Sequence, residues 1–221
     1  MLRCDLHLHT KEDKIDSKWI EYNAKELIDK AAELNFDVLS FTCHNQVFYS
    51  DEIVEYAKSK NILLIPGTEL TLEGKHVLVY GNFDINEIRN LSDLRKLKDK
   101  DDCLVVAAHP YFKDKSCLGN KLIENIDLFD AIEYCHFYNH LFNWNKKAVN
   151  VAKKYGKSLI GNSDCHIMPL QFNKTYSMID SEKDMKSIFR SIKENKIIVV
   201  SEPLPLRNLI EIFAMRFFRK V

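Results

Sequence analysis

The chain of 221 residues has no excess charge of either sign, with 32 Lys and Arg against 32 Asp and Glu. Without a net field, neither nucleic acid nor an anionic membrane attracts it in bulk, and a nucleic-acid substrate would need a local patch. No run of about 18 apolar residues is available to span a bilayer. The opening residues lack the charged, apolar and small-residue order of a signal peptide. The six cysteines show neither CxxC spacing nor a small-secreted-domain pattern, so the expected setting is reducing and cytoplasmic. With only 6 Gly and 5 Pro, no low-complexity linker and no internal repeat, one compact domain is expected. Neither a phosphate-cradling glycine loop nor a nucleophilic Ser or Cys motif occurs. The remaining composition, 46% hydrophobic and 29% charged, is that of a globular protein of a length that suits a single α/β barrel.

The stretch Arg3-Cys4-Asp5-Leu6-His7-Leu8-His9-Thr10 reads as a first strand. Alternation puts His7 and His9 on one face where the strand runs out into a polar loop, Lys11 to Asp16. Leu6 and Leu8 then take the opposite face, against helices. Two imidazoles in that position suit metal ligands or an acid/base pair.

Further along, Ser17 is the expected N-cap of a helix to about Leu34, with Ile20, Ala24, Leu27, Ile28, Ala31 and Leu34 as its apolar stripe. Strands follow at 36–42, 62–65, 76–80, 103–108, 130–134, 158–161 and 197–200. Helices are expected at about 51–60, 84–98, 143–155 and 182–195, with Pro66-Gly67-Thr68-Glu69 as a loop. Solidly apolar strands separated by helices indicate a parallel sheet covered on both sides, and six or seven such units favour a barrel over an open sheet. Metal-ligating residue types fall just beyond the apolar runs: His9, His44, Glu69, His109, and Asp164 with His166. In parallel barrels, chemistry sits at the C-terminal ends of the strands. With His7 and His76 these form a set of His and carboxylate ligands suited to Zn, Mn or Fe, and carboxylates can bridge two cations.

Five motifs in order resemble the PHP family, named for polymerase and histidinol phosphatase. They are Asp5-Leu6-His7-Leu8-His9-Thr10, Thr42-Cys43-His44-Asn45, Gly67-Thr68-Glu69, Ala108-His109-Pro110 and Ser163-Asp164-Cys165-His166. Each alone is weak; the ordered set is specific. The resemblance implies a distorted (β/α)7 TIM-like barrel over residues 1–202 that binds two or three divalent transition-metal ions at its mouth. It implies that His7, His9, Glu69 and Asp164 hold the first ion and that Glu69 bridges to a second held by His76 and His109. His44 and His166 would hold the third with a loop aspartate. The family's aspartate position is Lys14 here, flanked by Asp13 and Asp16; Asp13 is placed in the ligand set, with Asp16 as its alternative. Cys43 stands where the family usually has Asp, and Cys43 and Cys165 read as buried inert thiols rather than ligands.

The implied activity is metal-dependent phosphoester hydrolysis, with Glu69 bridging and a protonated group near His44 or His166 assisting the leaving alkoxide. The expected substrate is a small phosphomonoester, a nucleotide or the end of a short oligonucleotide, and Lys11 and Lys113 are candidates for holding its phosphate. The alternative is a non-catalytic barrel serving as a scaffold or RNA-binding subunit, whose sequence sign would be lost metal ligands. His136 and His140 lie in an aromatic-rich loop that either contacts substrate or packs on the rim. Residues 203–221 read as an amphipathic helix, apolar at Leu209, Ile210, Phe213, Phe217 and Phe218 and basic at Arg207, Arg216, Arg219 and Lys220. It is expected to cover the barrel, or else to support self-association or partner contact through residues 206–221.

Overall fold

Ten short strands and seven helices arise from the apolar runs, in a computed structural model that describes residues 1–98 and 100–218, the side chains of 213 and 215–218 excepted. β1 (Leu2–Leu8), α1 (Ala24–Glu33), β2 (Val38–Phe41), α2 (Asp51–Ser59) and β3 (Leu63–Leu64) come first. β4 (Gly67–Leu72), β5 (Lys75–Gly81) and β6 (Cys103–Ala107) follow with no α-helix between them. Then come α3 (Lys121–Glu124), β7 (Ala131–Cys135), α4 (Asn145–Tyr155), β8 (Ser158–Asn162) and α5 (Met168–Gln171). β9 (Thr175–Ile179), α6 (Met185–Lys193), β10 (Ile197–Ser201) and α7 (Leu206–Phe218) complete the chain. No helix among the described residues is long and apolar enough to cross a membrane.

The strands form two five-stranded sheets, ordered β10-β9-β1-β2-β3 and β4-β5-β6-β7-β8. Half of the neighbouring pairs are parallel; β5 is antiparallel to both β4 and β6, and β9 is antiparallel to β1 and β10. An all-parallel sheet was the expectation; solidly apolar runs report burial on two faces and say nothing of strand direction. No continuous ladder closes the two sheets into one ring. They meet through two isolated parallel bridges, Leu8 with Cys165 and His44 with Glu69. Both bridges fall at the same end of the sheets, among the residues of the histidine motifs.

Local chemistry explains where the elements depart from the expected ones. The first helix starts at Asn23 rather than Ser17, through a capping box in which Asn23 and Glu26 exchange side-chain and backbone bonds. Upstream, Asp13 Oδ1 accepts from the N–H groups of Ile15 and Asp16, 2.8 and 3.1 Å away. Those bonds tie residues 13–16 into turns that compete with a helix. The 84–98 segment forms two 3₁₀ turns, Ile85–Glu87 and Leu91–Lys96, instead of one α-helix. Gly67-Thr68-Glu69 belongs to a strand rather than a loop, paired with Tyr80, Val79 and Leu78 of β5. Thr68 donates its hydroxyl to the Cys43 carbonyl and Glu69 faces the site, so the run is polar yet buried. Glu73 and Gly74, both at positive φ, turn β4 into β5 as a two-residue hairpin.

Three apolar clusters hold these layers. Leu6 packs with Leu78, Tyr80, Leu104, Val106 and Ile160 in a core built from both sheets and α6. Leu8 lies in a different cluster with Leu27, Ile28 and Leu39. The two leucines therefore do not share a destination; the β1–β2 register shifts between Asp5 and Leu8. A third cluster covers β6 and β7 with α4 and the 3₁₀ turns. On α7, Leu209 and Ile212 join Leu204 against Phe137, Ile167 and Leu170, while Ile210 is exposed. The side chains of Phe213, Arg216, Phe217 and Phe218, and residues Arg219 and Lys220, lie outside what is described.

Two glycines test the packing. Gly81 has φ +97 and a Cβ there would overlap the carbonyl oxygen of Asp102, whereas Gly74, at φ +72, has nothing within 4 Å. Gly81→Ala is expected to lower unfolding free energy by about 2–5 kcal/mol, from backbone strain plus overpacking. Gly74→Ala should cost only about 1–2 kcal/mol, the left-handed penalty alone. Urea denaturation checks both, and equal losses would contradict the close approach at Gly81.

Candidate metal centre

Strand direction gathers the histidines. His7 is the last residue but one of β1 and His9 follows the strand; His44 comes just after β2, His109 just after β6, and Asp164 and His166 just after β8. His76 is the second residue of β5, which runs antiparallel to β4 and β6, so it enters where those two neighbours leave. Its partner across the hairpin is Thr71. Glu69, two residues before Thr71, thus lies on the same face and reaches His76 diagonally. His109 (φ +24) and Asp164 (φ +46) hold left-handed backbone conformations, a strain that is tolerated where surrounding structure fixes a functional side chain.

Glu69 is the hub. Its Oε1 lies 2.8 Å from His76 Nδ1 and 3.0 Å from His109 Nε2. Its Oε2 lies 3.4 Å from both His7 Nε2 and His9 Nε2, and 3.2 Å from His44 Nδ1. His7 Nε2 and His9 Nε2 are 3.2 Å apart, and Asp164 Oδ1 is 3.3 and 3.5 Å from them. Four donor atoms, one each from His7, His9, Glu69 and Asp164, therefore have five of their six separations between 3.2 and 3.5 Å. Separations near about 3.4 Å are those between ligands held about 2.1 Å from one transition-metal ion, so His7 and His9 with either carboxylate are spaced to share one. Asp164 Oδ1 and His76 Nδ1 are buried and make no well-formed hydrogen bond, which is consistent with atoms turned toward a cation.

The loop aspartates separate into two roles. Asp16 Oδ2 sits between His44 Nε2 at 3.1 Å and His166 Nε2 at 2.9 Å. Asp13 instead accepts from His9 Nδ1 at 3.0 Å and from the His44 N–H at 2.8 Å. Asp16, and not Asp13, thus stands with His44 and His166. The preference for Asp13 overlooked that its backbone-capping bonds already commit it to shaping the loop.

Glu133, which the sequence reading passed over as part of a strand, is a second such support. Fully buried, it accepts from His7 Nδ1 at 2.8 Å, from Asn162 at 2.9 Å and from the His109 N–H at 2.7 Å. Carboxylates on the far nitrogens of His7 and His9 fix the tautomers that leave both Nε2 atoms facing the centre, the arrangement found around metal-ligating histidines. A charged residue inside an otherwise apolar strand, Ala131-Ile132-Glu133, was the signal available. On the third side, Cys117 Sγ lies 3.4 Å from His109 Nδ1. Gln171 accepts from the N–H groups of His166 and Ile167, and donates to His136 Nε2 at 3.0 Å.

Electrostatically the centre lacks cations. Five carboxylates (Asp13, Asp16, Glu69, Glu133 and Asp164) have histidines as their ion-pair partners, and among the described residues no Lys or Arg pairs with them. Burial opposes the charged form of His7, but Glu133, Asp164 and Glu69 outweigh it and raise its pKa to about 10. Burial likewise opposes ionisation of Glu69 and Asp164, yet the surrounding histidines hold both well below the usual carboxylate range. Buried Asp5 is pushed up to about 7, and burial takes His136 down to about 4. Burial also raises the Cys43 thiol to about 11 and Cys165 further, so neither is a ready thiolate. His140, Lys11 and Lys113 are exposed, and none of them lines the cavity over the centre.

These shifts fix a pH dependence. In metal-free protein, stability contributed by protonated His7 is complete below its ordinary pKa of 6.5 and is lost as pH rises toward about 10. Divalent metal competes with that proton, so stabilisation by added Zn should grow with pH. Urea midpoints at pH 6.5 and 8.5 should fall with pH after chelation, and the gain from Zn should be larger at pH 8.5. A gain that is independent of pH would contradict the buried imidazolium.

Among solved structures the chain is similar to PsfC from Pseudomonas syringae, at 16% identity and a TM-score of 0.61 over 100% of this chain and 99% of that one. It is also similar to a Bifidobacterium adolescentis protein provisionally described as a metal-dependent phosphoesterase, at 14% identity and a TM-score of 0.53 over 96% of each chain. At these identities the likeness speaks for the fold. No curated protein matches. The family model for the PHP domain matches residues 5–199. The chain belongs to the PHP domain family.

Proposed function

We propose that the protein hydrolyses a phosphate ester with two or three divalent transition-metal ions, Zn, Mn or Fe. The observation that carries this is the close set of His7, His9, Glu69 and Asp164 atoms, with Glu133 and Asp13 on the far nitrogens of the two histidines. His76 and His109 with Glu69 would hold a second ion, and His44, His166 and Asp16 a third. Such ions, when bound, activate water at neutral pH and neutralise phosphoryl oxygens.

The chain's own residues supply the positioning. Glu133 and Asp13 hold ring orientation, Glu69 shares its two oxygens among the imidazoles, and Gln171 fixes the backbone of His166. In this arrangement the Nε2 atoms of His44 and His166 both face Asp16, which favours a ligand role over proton donation to the leaving group. The substrate would be a small phosphomonoester or the terminal phosphate of a short nucleic acid. A ligand set that is complete once Asp16 is counted supports an enzyme over a scaffold.

The wider reading follows the same lines. The two bridges at Leu8–Cys165 and His44–Glu69 support a distorted barrel in which β1, β2 and β4 to β8 surround the core, with α7 appended to it. Six free, buried thiols support a reducing, cytoplasmic setting.

The test is elemental analysis with hydrolysis of phosphorylated metabolites, nucleotides and short oligonucleotides. Chelation should abolish turnover and Mn or Zn should restore it; unchanged turnover without metal would overturn the proposal. Asp16→Asn should lower metal content by about one ion and leave the fold intact. Asp13→Asn should cost about 1–3 kcal/mol of stability, because buried N–H groups lose their acceptor. The reverse pattern would restore Asp13 as the ligand.

A further inference from the structure

The cavity above the centre has two unlike walls. One is the polar floor of His44, Glu69, His76, His109, Asp164 and His166; the other is formed by Ile15, Trp19, Phe112, Phe137, Ile167 and Ile212. The volume is about 330 Å³, at the small end for ligand pockets and suited to a compact molecule rather than a strand of nucleic acid.

The apolar wall is built. Phe137 stands edge-on to Phe112, with ring centroids 4.8 Å apart. On its other side it packs with Leu204, Leu209 and Ile212 of the C-terminal segment, together with Ile167 and Leu170. Thus α7 does more than cover the sheets: through Ile212 it contributes a side chain to the cavity itself. Ile15, on the loop that carries Asp13 and Asp16, is 55% exposed and also lines the cavity.

Charge narrows the ligand further. Among the described residues no Lys or Arg lines this cavity, while Asp16, Glu69, Asp114 and Asp164 do. A phosphoryl group could be neutralised by metal on the floor. A second anion on the ligand, such as a carboxylate or the next phosphate of a nucleotide chain, would meet an apolar wall and carboxylates, with no lysine or arginine among the described lining residues to balance it.

Resting on the phosphoesterase reading, we propose that the site takes a monoester whose alcohol part is a compact apolar or aromatic group with no second negative charge. The apolar wall seats that group, and Ile212 and Ile15 set the preference.

Benzyl phosphate, glycerol 1-phosphate and 2-phosphoglycolate test this, since all three release primary alcohols and differ in the appended group. Binding of benzylphosphonate and phosphonoacetate to Mn-loaded protein is measured by calorimetry beside hydrolysis. Benzyl phosphate should exceed the glycerol ester by about tenfold or more in kcat/KM, the worth of burying one ring, with 2-phosphoglycolate last. Benzylphosphonate should bind more tightly than phosphonoacetate by a similar factor. Ile212→Ala should narrow the benzyl advantage, and exposed Ile15→Lys should raise kcat/KM for 2-phosphoglycolate. Equal or reversed binding of the two phosphonates would overturn the inference, whatever is hydrolysed. Tighter benzylphosphonate with no hydrolysis of any ester would uphold the apolar wall and overturn the phosphoesterase reading instead.

Discussion

Everything at the mouth of this fold depends on burying negative charge with no lysine or arginine paired to it among the described residues. Glu69 is 1% exposed and contacts five imidazoles through its two oxygens. An ionised carboxylate in such a place is strongly destabilising unless paired. Protonated histidines can serve, as the raised pKa of His7 indicates, but that crowds imidazolium groups within a few ångströms of each other. Divalent cations resolve the same imbalance while letting each imidazole remain neutral. The architecture follows from that need. Two sheets converge at the Leu8–Cys165 and His44–Glu69 bridges, and the polar motifs lie on those crossing points.

Much of the centre was legible in the sequence because ligand types recur where apolar runs stop. His7, His9, His44, Glu69, His76, His109, Asp164 and His166 are all brought together. What was not legible has physical reasons. Asp13 and Asp16 are chemically identical and three residues apart; only the capping of Ile15 and Asp16 by Asp13 decides which one faces His44 and His166. Glu133 looked like one residue of a strand, since nothing local shows that its side chain meets His7. The antiparallel directions of β5 and β9 are absent from hydrophobic pattern, though β5's direction is what delivers His76. Glu69 looked like a loop residue because a strand with a polar inner face breaks the apolar run.

The outer half of the cavity obeys a different logic. Phe112, Phe137 and Ile212 are joined through two packing contacts that link a rim loop to α7. The exposed Lys11 and Lys113 stand away from it. The cavity thus combines a floor of His, Glu and Asp side chains with an apolar lining that also holds Asp114.

The direct test of a shared, charge-bearing Glu69 is metal stoichiometry and turnover of Glu69→Gln, with circular dichroism to confirm folding. Gln keeps the shape, removes the charge and replaces one ligand oxygen with an amide nitrogen. A bridging carboxylate predicts a folded variant depleted at both adjoining sites, with hydrolysis lower by more than about 100-fold. A folded Glu69→Gln protein with a full metal complement and near-normal turnover would contradict it.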